Sequence, residues 1–432
     1  MSPPETVEGW LALHQQVHPL AMDFTLERLR CVLQRLGMAT APCPVFTVGG
    51  TNGKGSVTAM AEAILRAGGK RTGLFTSPHL LHYHERIRID GAMVTDADLL
   101  AAFHAVWDAC EQAPVVTLTY FEHSLAAAVW LFQRAGLDAW VLEVGLGGRL
   151  DSVNLFDADA AAVVSIGLDH VAVLGNDIDG IAREKAGIFR AGRPAVCGAA
   201  VPVSLHDCAR ACGADLLRAG VEYAAVADDG GWSFRMGTAD WPALPLPALA
   251  GPHQVGNAAV AVALLLAGPP ELRPARAAVE AGLGAARVLG RFERYWLGGR
   301  EWIVDVAHNP AAAEVLATAL RGLPVAPTSF LLGVLGDKDL AGVLAGLAQA
   351  GLPLQGIALG LGGDRGRTGA EFAQLATEAG YPGLQPAEDT AKACTDLQAS
   401  AGEGGRIVAC GSFVLVTPVL EWLLAQGATR EP

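Results

Sequence analysis

Apolar runs of two lengths alternate along most of the chain. Short runs rich in β-branched residues, at 45–48, 140–144 and 161–166, are separated by longer stretches with helical spacing such as 54–67 and 122–135. Continuous apolar strands that alternate with helices are typical of a parallel sheet covered by helices on both faces. The pattern therefore predicts a doubly wound α/β domain.

The alternation is interrupted between residues 198 and 250, where turn residues become dense. Short apolar runs at 221–225 and 232–236 lie on either side of an Asp- and Gly-rich turn and predict antiparallel strands. We expect a small β appendage here, followed by helices at 255–267 and 274–283.

Beyond residue 285 the α/β alternation begins again. Apolar runs predict strands at 302–306, 329–334, 355–359 and 406–410, with helices between them, for example at 311–321 and 339–350. This predicts a smaller, Rossmann-like C-terminal α/β domain. The sequence thus predicts two domains, residues 1–285 and residues 286–432.

The composition argues against several classes of function. A formal net charge of −13 over 432 residues argues against a nucleic-acid partner. No apolar run approaches the roughly 18 residues of a membrane span, and the N-terminus lacks the plan of a signal peptide. The eight cysteines form no C-x-x-C pair and are interpreted as reduced thiols. We expect a cytoplasmic monomer that binds small molecules and no membrane.

A glycine-rich turn, Gly-Gly-Thr-Asn-Gly-Lys-Gly-Ser at 49–56, follows the first predicted strand and leads into a helix. A strand, a glycine turn, a lysine, a hydroxyl and a helix N-terminus together form a cradle for phosphate groups, because backbone amides and the ammonium face the anion. The spacing departs from the common G-x-x-x-x-G-K-[ST] pattern, since Val48 replaces the first glycine and Gly55 separates the lysine from the serine. We predict that ATP is bound by Gly53, Lys54, Gly55 and Ser56.

Further motifs follow this loop along the chain. They are Thr-Ser-Pro-His-Leu at 76–80, Glu-Val-Gly-Leu-Gly-Gly-Arg-Leu-Asp at 143–151, Leu-Asp-His at 168–170, Glu-Lys-Ala-Gly-Ile at 184–188, Gly-Arg-Phe at 290–292, Asp-Val-Ala-His-Asn-Pro at 305–310, Asp-Lys-Asp at 337–339 and Gly-Ser-Phe at 411–413. With the loop, these motifs are spread over residues 49–413, and the resemblance that they carry covers nearly the whole chain. The chain resembles the Mur ligase superfamily and, within it, the bacterial bifunctional dihydrofolate synthase/folylpolyglutamate synthases.

The resemblance implies an ATP-dependent ligase that forms amide bonds. In this family ATP phosphorylates a carboxylate, and an amino group then displaces the phosphate. The substrates implied are dihydropteroate, which is joined to L-glutamate, and folates, whose γ-carboxylate receives further glutamates. The resemblance also turns the irregular loop into a distinguishing feature, because this variant is the Mur-ligase form.

A metal site is implied by four motif residues. Glu143 ends a predicted strand, which is where ligands of α/β sheets bind, and a carboxylate suits Mg²⁺. The resemblance implies two Mg²⁺ ions held by Ser77, Glu143, His170 and Lys185, with Asp169 orienting the histidine and Lys185 carbamylated by CO₂. The structural alternatives are a solvated glutamate, turn chemistry at Ser77, a hydrogen-bonding histidine, and a lysine that balances phosphates. Lysine is scarce here, with five lysines against 26 arginines, which favours a specific role.

The resemblance also assigns residues that hold ATP beyond the loop. Asn257 matches a residue that pairs with adenine, Arg291 one that binds phosphate, and Asp305 one that accepts from the ribose. The structural alternatives are a helix N-cap and a surface ion pair. We predict cofactor binding by all three. Lys54, Lys185 and His308 are the predicted catalytic residues, with Lys338 a further candidate.

Three segments are expected to bind the pterin substrate. The residues that match are Asp23, Phe24, Thr25 and Leu26, then Thr119, Tyr120, Phe121 and Glu122, then Leu150, Asp151 and Ser152. Aromatic rings offer a stacking face for a flat heterocycle, although Tyr120 and Phe121 could equally belong to the core of the following helix. Relatives often have Leu-Gly at 24–25 and Ala-Thr at 152–153, so the fine shape of the pocket is left open.

Other functions remain as alternatives. The first is a monofunctional folylpolyglutamate synthase, and the second is a cell-wall Mur ligase, which would need an additional N-terminal domain before the phosphate loop. A nucleotide-binding regulator would not need Glu143, His170 and Lys185 together. A P-loop kinase would lack the motif at 305–310.

Overall fold

The computed structural model describes residues 3–431, apart from positions 21, 229 and 364. The chain divides into two compact units. Unit 1 contains the residues up to Ile166, Asn176–Ala248 and Val255–Arg287, and unit 2 contains Gly167–Gly175, Leu249–Gln254 and the residues from Val288 onward. Two short segments before residue 285 therefore belong to unit 2. The single boundary at 285/286 stays a sequence-based prediction.

A mixed sheet forms the centre of unit 1. Its strands are β1 (Val45–Gly49), β2 (Thr72–Phe75), β3 (Ile87–Ile89), β4 (Ala92–Met93), β5 (Ala139–Glu143), β6 (Ala160–Ser165), β7 (Pro194–Ala200) and β8 (Asp215–Arg218). Their order in the sheet is β4-β3-β2-β5-β1-β6-β7-β8. The six strands β2, β5, β1, β6, β7 and β8 run parallel. The predicted doubly wound sheet is confirmed, with an antiparallel edge of β3 and β4 in addition.

Helices cover both faces of this sheet. Up to residue 285 the α-helices of the chain are α1 (Val7–Val17), α2 (Glu27–Arg35), α3 (Lys54–Ala67), α4 (Asp96–Glu111), α5 (Tyr120–Ala135), α6 (Val171–Leu174), α7 (Ile178–Ala186), α8 (Val203–Ala211), α9 (Gln254–Ala267) and α10 (Arg276–Ala285), and α6 belongs to unit 2. On one face α1, α2, α4 and α5 pack together around Trp10, Phe103 and Trp140, which are fully buried.

On the other face α3 packs against α10. A Cβ atom at Gly282 of α10 would lie 2.4 Å from Ile64 Cα, so this glycine permits close approach of the two helix backbones. The five residues of β1 beneath are all buried, as expected for a central parallel strand. Tight packing on both faces fixes the position of the turns that follow the strands.

The predicted β appendage is present in unit 1. It is an antiparallel sheet of β9 (Tyr223–Asp228), β10 (Gly231–Met236) and β11 (Ala239–Pro245), with β10 in the middle. Trp232, Phe234 and Leu244 are fully buried. The strand β11 was not predicted, because Pro242 and Pro245 favour a loop.

Unit 2 is built on a second α/β sheet. Its strands are β12 (Glu293–Leu297), β13 (Arg300–Asp305), β14 (Thr328–Leu332), β15 (Gly356–Leu359), β16 (Leu384–Ala387), β17 (Arg406–Cys410) and β18 (Thr429–Arg430), in the order β16-β15-β14-β17-β13-β12-β18. Its longer helices are α11 (Pro310–Arg321), α12 (Leu340–Ala348), α13 (Gly369–Glu378), α14 (Thr390–Ser400) and α15 (Phe413–Ala425). The strands from β16 to β13 are parallel, which confirms the predicted second α/β domain. Across the described residues, every helix is too short or too polar to cross a membrane.

Candidate active site

The turns after β1 and β5 lie side by side. The two strands are neighbours and run parallel, with Val48 opposite Glu143, so both end at the same edge of the sheet. Ligands of open α/β sheets bind at this carboxyl edge. The phosphate loop follows β1, and the motif at 143–151 follows β5.

Two glycines give the phosphate loop its shape. Gly50 has a φ of 143° and Gly53, the N-cap of α3, has a φ of 86°, which L side chains rarely adopt. A Cβ atom at Gly53 would also lie 2.7 Å from Asn257 Oδ1 and 2.9 Å from Val164 Cγ1. The predicted adenine ligand Asn257 therefore lies directly against the loop, and no side chain fits at Gly53.

The loop is also tied to the neighbouring strand β6. The backbone N–H of Thr51 donates to Ser165 O over 2.7 Å, and that of Asn52 donates to Ser165 Oγ over 3.0 Å. The Ser165 hydroxyl donates in turn to Asn52 O over 2.9 Å. Ser165 was not among the predicted site residues, yet it fixes the backbone of the loop.

Two lysines meet at one carbonyl of the loop. Lys54 Nζ donates to Gly50 O over 3.0 Å and to Thr51 O over 3.2 Å, and Lys185 Nζ donates to the same Gly50 O over 2.9 Å. Lys185 extends from α7 and is only 4 % exposed. In a protein of net charge −13, Lys54 and the α3 N-terminus create a local positive site, as phosphate binding requires.

A buried carboxylate lies next to the first turn of α3. A Cβ atom at Gly55 would lie 3.7 Å from both carboxylate oxygens of Glu143, and Ser77 N donates to Glu143 Oε2 over 3.3 Å. Across the described residues there is no cluster of three or more His, Cys, Asp or Glu side chains that could hold a metal. The single carboxylate of Glu143 beside the phosphate loop fits Mg²⁺, which is commonly held by one or two carboxylates together with substrate phosphates.

The predicted pterin residues Phe121 and Asp151 are brought together across Gly145. A Cβ atom at Gly145 would lie 2.8 Å from Phe121 Cε2 and 3.3 Å from Asp151 Oδ2. The Asp151 carboxylate accepts from the backbone N–H groups of Leu146 and Val153 over 2.9 and 3.0 Å. Burial raises the pKa of Asp151 to about 6. A flat ring and a buried acid that can exchange a proton near neutral pH suit the recognition of a heterocycle.

Arg28 bridges two carboxylates at the start of α5. Thr119 and Glu122 form a capping box, with Thr119 N donating to Glu122 Oε2 over 2.8 Å. Arg28 donates to both oxygens of Glu122 over 3.0 and 3.2 Å and contacts Asp23 Oδ2 over 2.6 Å. Glu122 and Thr119 thus have a structural role, and their contact with substrate stays a prediction.

The other predicted pterin residues differ in burial. Ser152 is buried, Thr25 is exposed, and the half-buried residues are Phe24, Leu26, Tyr120 and Leu150.

Unit 2 brings Arg291, Asp305 and His308 into one cluster. The Asp305 carboxylate accepts from the backbone N–H groups of Phe292 and Ala307, each over 2.8 Å, and burial raises the pKa of Asp305. The Arg291 guanidinium lies 5.5 Å from the centroid of the Phe413 ring. The three residues thus lie close together in this unit, and their roles toward ATP and the reaction stay predictions.

Asp169 organises a second cluster in unit 2. Its Oδ2 contacts His308 Nε2 over 3.1 Å, and its Oδ1 accepts from Lys338 Nζ and, over 2.8 Å, from the backbone N–H of His170. Although burial alone would raise the pKa of Asp169, the hydrogen bonds and charges of His308 and Lys338 hold it well below its usual range. His308 Nδ1 also faces Val306 O over 2.9 Å. Both ring nitrogens of His308 therefore face acceptor oxygens, the Val306 carbonyl and the Asp169 carboxylate.

Family models and relatives agree with this geometry. Residues 48–203 match the Mur ligase middle domain, and residues 290–413 match the Mur ligase glutamate ligase domain. Over 421 residues the chain is 39 % identical to the dihydrofolate synthase/folylpolyglutamate synthase of Escherichia coli K12, covering 96 % of this chain and 94 % of that protein. This chain belongs to the dihydrofolate synthase/folylpolyglutamate synthase family.

Solved structures of the family resemble the whole chain. E. coli FolC in complex with DHPP and ADP is 37 % identical with a TM-score of 0.89, covering 99 % of this chain and 100 % of that one. A bifunctional folylpolyglutamate synthase/dihydrofolate synthase with Mn, AMPPNP and L-glutamate bound is 37 % identical with a TM-score of 0.88, covering 98 % of this chain and 100 % of that one. The predicted fold class and family are confirmed.

In this member of the family, two groups escaped the sequence-based prediction. Arg28 links Asp23 to Glu122, and Ser165 holds the phosphate loop. Arg28 offered no signal in the sequence, because the burial of its partner Glu122 is a property of the folded chain. Ser165 offered none, since a serine at a strand end is common.

Proposed function

We propose that this protein joins L-glutamate to dihydropteroate with ATP and adds further glutamates to the γ-carboxylate of folates. The observation that carries the proposal is the meeting of two features at one sheet edge. The phosphate loop, whose Gly50 carbonyl accepts from Lys54 and Lys185, follows β1. The turn after the adjacent strand β5 leads to Asp151, and Phe121 of α5 lies against Gly145 of that turn. Relatives that bear both activity names, or that bind DHPP, ADP, AMPPNP and L-glutamate, support this assignment.

In the first step, the substrate carboxylate attacks the γ-phosphorus of ATP, and the bond from that phosphorus to the bridging oxygen of ADP breaks. The product is an acyl phosphate. Lys54 and the N-terminus of α3 offset the charge that builds on the transferring phosphoryl group, and such electrostatic effects dominate this chemistry. The Mg²⁺ ions, for which Ser77, Glu143, His170 and Lys185 are the proposed ligands, supply further charge neutralisation on the phosphates.

In the second step, the uncharged amino group of glutamate attacks the acyl carbon. The C–O bond to phosphate breaks, the amine loses a proton, and the products are an amide and inorganic phosphate. Arg291 and Asp305 are the proposed phosphate and ribose contacts of ATP, with Asn257 at the adenine. His308 is a further proposed catalytic residue in this reaction.

Lys185 is proposed to carry a carbamate. Its uncharged amine would add to CO₂ with loss of a proton, which converts a cation into a carboxylate-like Mg²⁺ ligand. Lys185→Ala is then expected to be inactive and to recover part of its activity with acetate or formate, which replace the lost oxygens. Recovery with methylammonium instead, or full activity without any addition, would show that the carbamate is not needed.

The substrate test separates the proposed function from a monofunctional enzyme. Purified protein is supplied with ATP, Mg²⁺ and L-glutamate, and with either dihydropteroate or tetrahydrofolate, while ADP release and the glutamylated product are measured. Both acceptors are expected to give product. Turnover of tetrahydrofolate alone would reject the dihydrofolate synthase activity, and turnover of neither would reject the proposed function altogether.

A further inference from the structure

Arg86 is a buried cation close to the proposed pterin residues. It is 8 % exposed, and its guanidinium lies 5.7 Å from the ring centroid of Tyr83 and 5.4 Å from that of Tyr120. Its Nε donates to His79 Nδ1 over 2.7 Å. Two aromatic faces and one imidazole therefore hold the guanidinium in a fixed position.

Arg86 lies apart from the carboxylates of the described residues. Among the residues that the structure describes, no carboxylate lies within 4.0 Å of Arg86, and neither of its two amino nitrogens has a hydrogen-bond acceptor. The neighbouring Glu85 instead accepts from the backbone N–H groups of Leu80, Leu81 and His82 over 2.8–2.9 Å. A buried charge without a partner is costly, so its retention calls for an anion supplied from outside the chain.

A ligand can reach these donors. The amino nitrogens of Arg86 do not belong to the unpartnered polar atoms that are sealed from solvent. Because His79 Nδ1 accepts from Arg86, the hydrogen of the neutral ring is on Nε2, which is a further donor. A planar fork and an N–H beside it match the geometry of a carboxylate.

Contacts connect Arg86 to both halves of the proposed reaction. On one side, the guanidinium lies against Tyr120, which precedes Phe121 in α5. On the other side, His79 lies two residues after Ser77, whose N–H donates to Glu143. Arg86 thus contacts one proposed pterin residue, Tyr120, and its partner His79 belongs to the same turn as a proposed metal ligand, Ser77.

We propose that Arg86, with His79, binds the carboxylate of the acceptor substrate that ATP phosphorylates. This inference rests on the proposed function and assigns a specificity-determining residue to it. The physical reason is that the carboxylate must approach a triphosphate in a protein of net charge −13. A fixed guanidinium offsets the repulsion between the two anions and orients the attacking oxygen.

The test changes both partners of the contact. Binding of dihydropteroate and of its carboxamide analogue is measured by calorimetry with AMPPNP and Mg²⁺ present. Wild-type protein is expected to bind the carboxamide roughly 10- to 100-fold more weakly, the size of a hydrogen bond to a charged group. Compared with wild type, Arg86→Gln is expected to bind dihydropteroate more weakly by a similar factor and to bind dihydropteroate and its carboxamide equally. Arg86→Lys is expected to keep part of the preference for the carboxylate.

Arg71→Gln is the matched control, because Arg71 is 53 % exposed and paired with Asp90. It is expected to leave both affinities unchanged. Equal binding of the two ligands by wild-type protein would overturn the proposal even if the Arg86 variants fail to fold. The proposal would also be overturned if Arg86→Gln kept the full preference for the carboxylate, or if this variant weakened AMPPNP binding and not dihydropteroate binding. Failure of the proposed function is recognised separately, because wild-type protein would then release no ADP with dihydropteroate and glutamate.

Discussion

Gly145 separates the Phe121 ring from Asp151, and replacing it with alanine tests the proposed pterin pocket. The added Cβ atom would lie 2.8 Å from Phe121 Cε2 and 2.9 Å from Cζ. Carbon atoms pack at about 3.5–4.0 Å, so the ring must retreat by roughly 1 Å. Gly145 is not among the glycines of positive φ, so alanine can adopt its backbone conformation, and the effect falls on the Phe121 ring first and on the Asp151 carboxylate second.

We expect Gly145→Ala to lower kcat/KM for dihydropteroate by roughly 10- to 100-fold, because a displacement of about 1 Å at a positioning group has consequences of this size. Overpacking should also lower the free energy of unfolding by about 1–3 kcal/mol. The KM for ATP should stay within about twofold, since the phosphate loop is not displaced. The assay is steady-state ADP release with each substrate varied in turn, beside urea denaturation.

Two further variants complete this test. Gly284→Ala is the control, since a Cβ atom there meets nothing within 4 Å. The double variant with Phe121→Leu gives the added methyl group room and should restore part of the stability. Unchanged kcat/KM for dihydropteroate in Gly145→Ala, or an equal loss for ATP, would refute the proposed position of the pocket.

Three other variants test separate parts of the structure. Lys54→Met should lower the rate of ADP release by roughly 100-fold or more, with the same fold by circular dichroism, and a rate close to wild type would contradict the assigned role. Asp151 has a folded-state pKa of about 6, so its contribution to stability is complete below about pH 4 and is lost as the pH rises through 6. Asp151→Asn should therefore gain about 2 kcal/mol relative to wild type between pH 4 and pH 7 in denaturation experiments, and an equal difference at both pH values would disprove this. Gly282→Val should lower the free energy of unfolding by more than about 2 kcal/mol, because the new Cβ atom would lie 2.4 Å from Ile64 Cα, while ATP affinity in the folded fraction stays the same.

Local signals in the sequence predicted the main elements well. The helix at 54–67 and the strand at 406–410 have the predicted bounds, because a glycine turn and a continuous apolar run mark their ends. The short edge strands β3 and β4 carry no such run and were missed. The assignment of residues 167–175 to unit 2 was also beyond prediction, since it depends on contacts such as that of Asp169 with Lys338, 169 positions away.

For the candidate site, the motifs predicted positions but not the groups that hold them. Lys54 and Glu143 were predicted because a glycine turn and a strand end carry recognisable chemistry, and Asp151 was predicted because its segment resembles that of the family. Arg28 and Arg86 were not, because arginine is abundant in this chain and one arginine is indistinguishable from another by pattern. Their burial, and the presence or absence of a carboxylate beside them, exist only in three dimensions.

The hydrogen bonds between Ser165 and the phosphate loop have a thermodynamic consequence. Fixing the backbone of one residue costs about 1–2 kcal/mol of conformational entropy. Because Thr51 and Asn52 are already held by β6, folding rather than nucleotide binding bears this cost for the loop. The affinity for ATP therefore depends on a strand that need not contact the nucleotide. A change at Ser165 would weaken binding through entropy, leaving the phosphate-binding groups themselves intact.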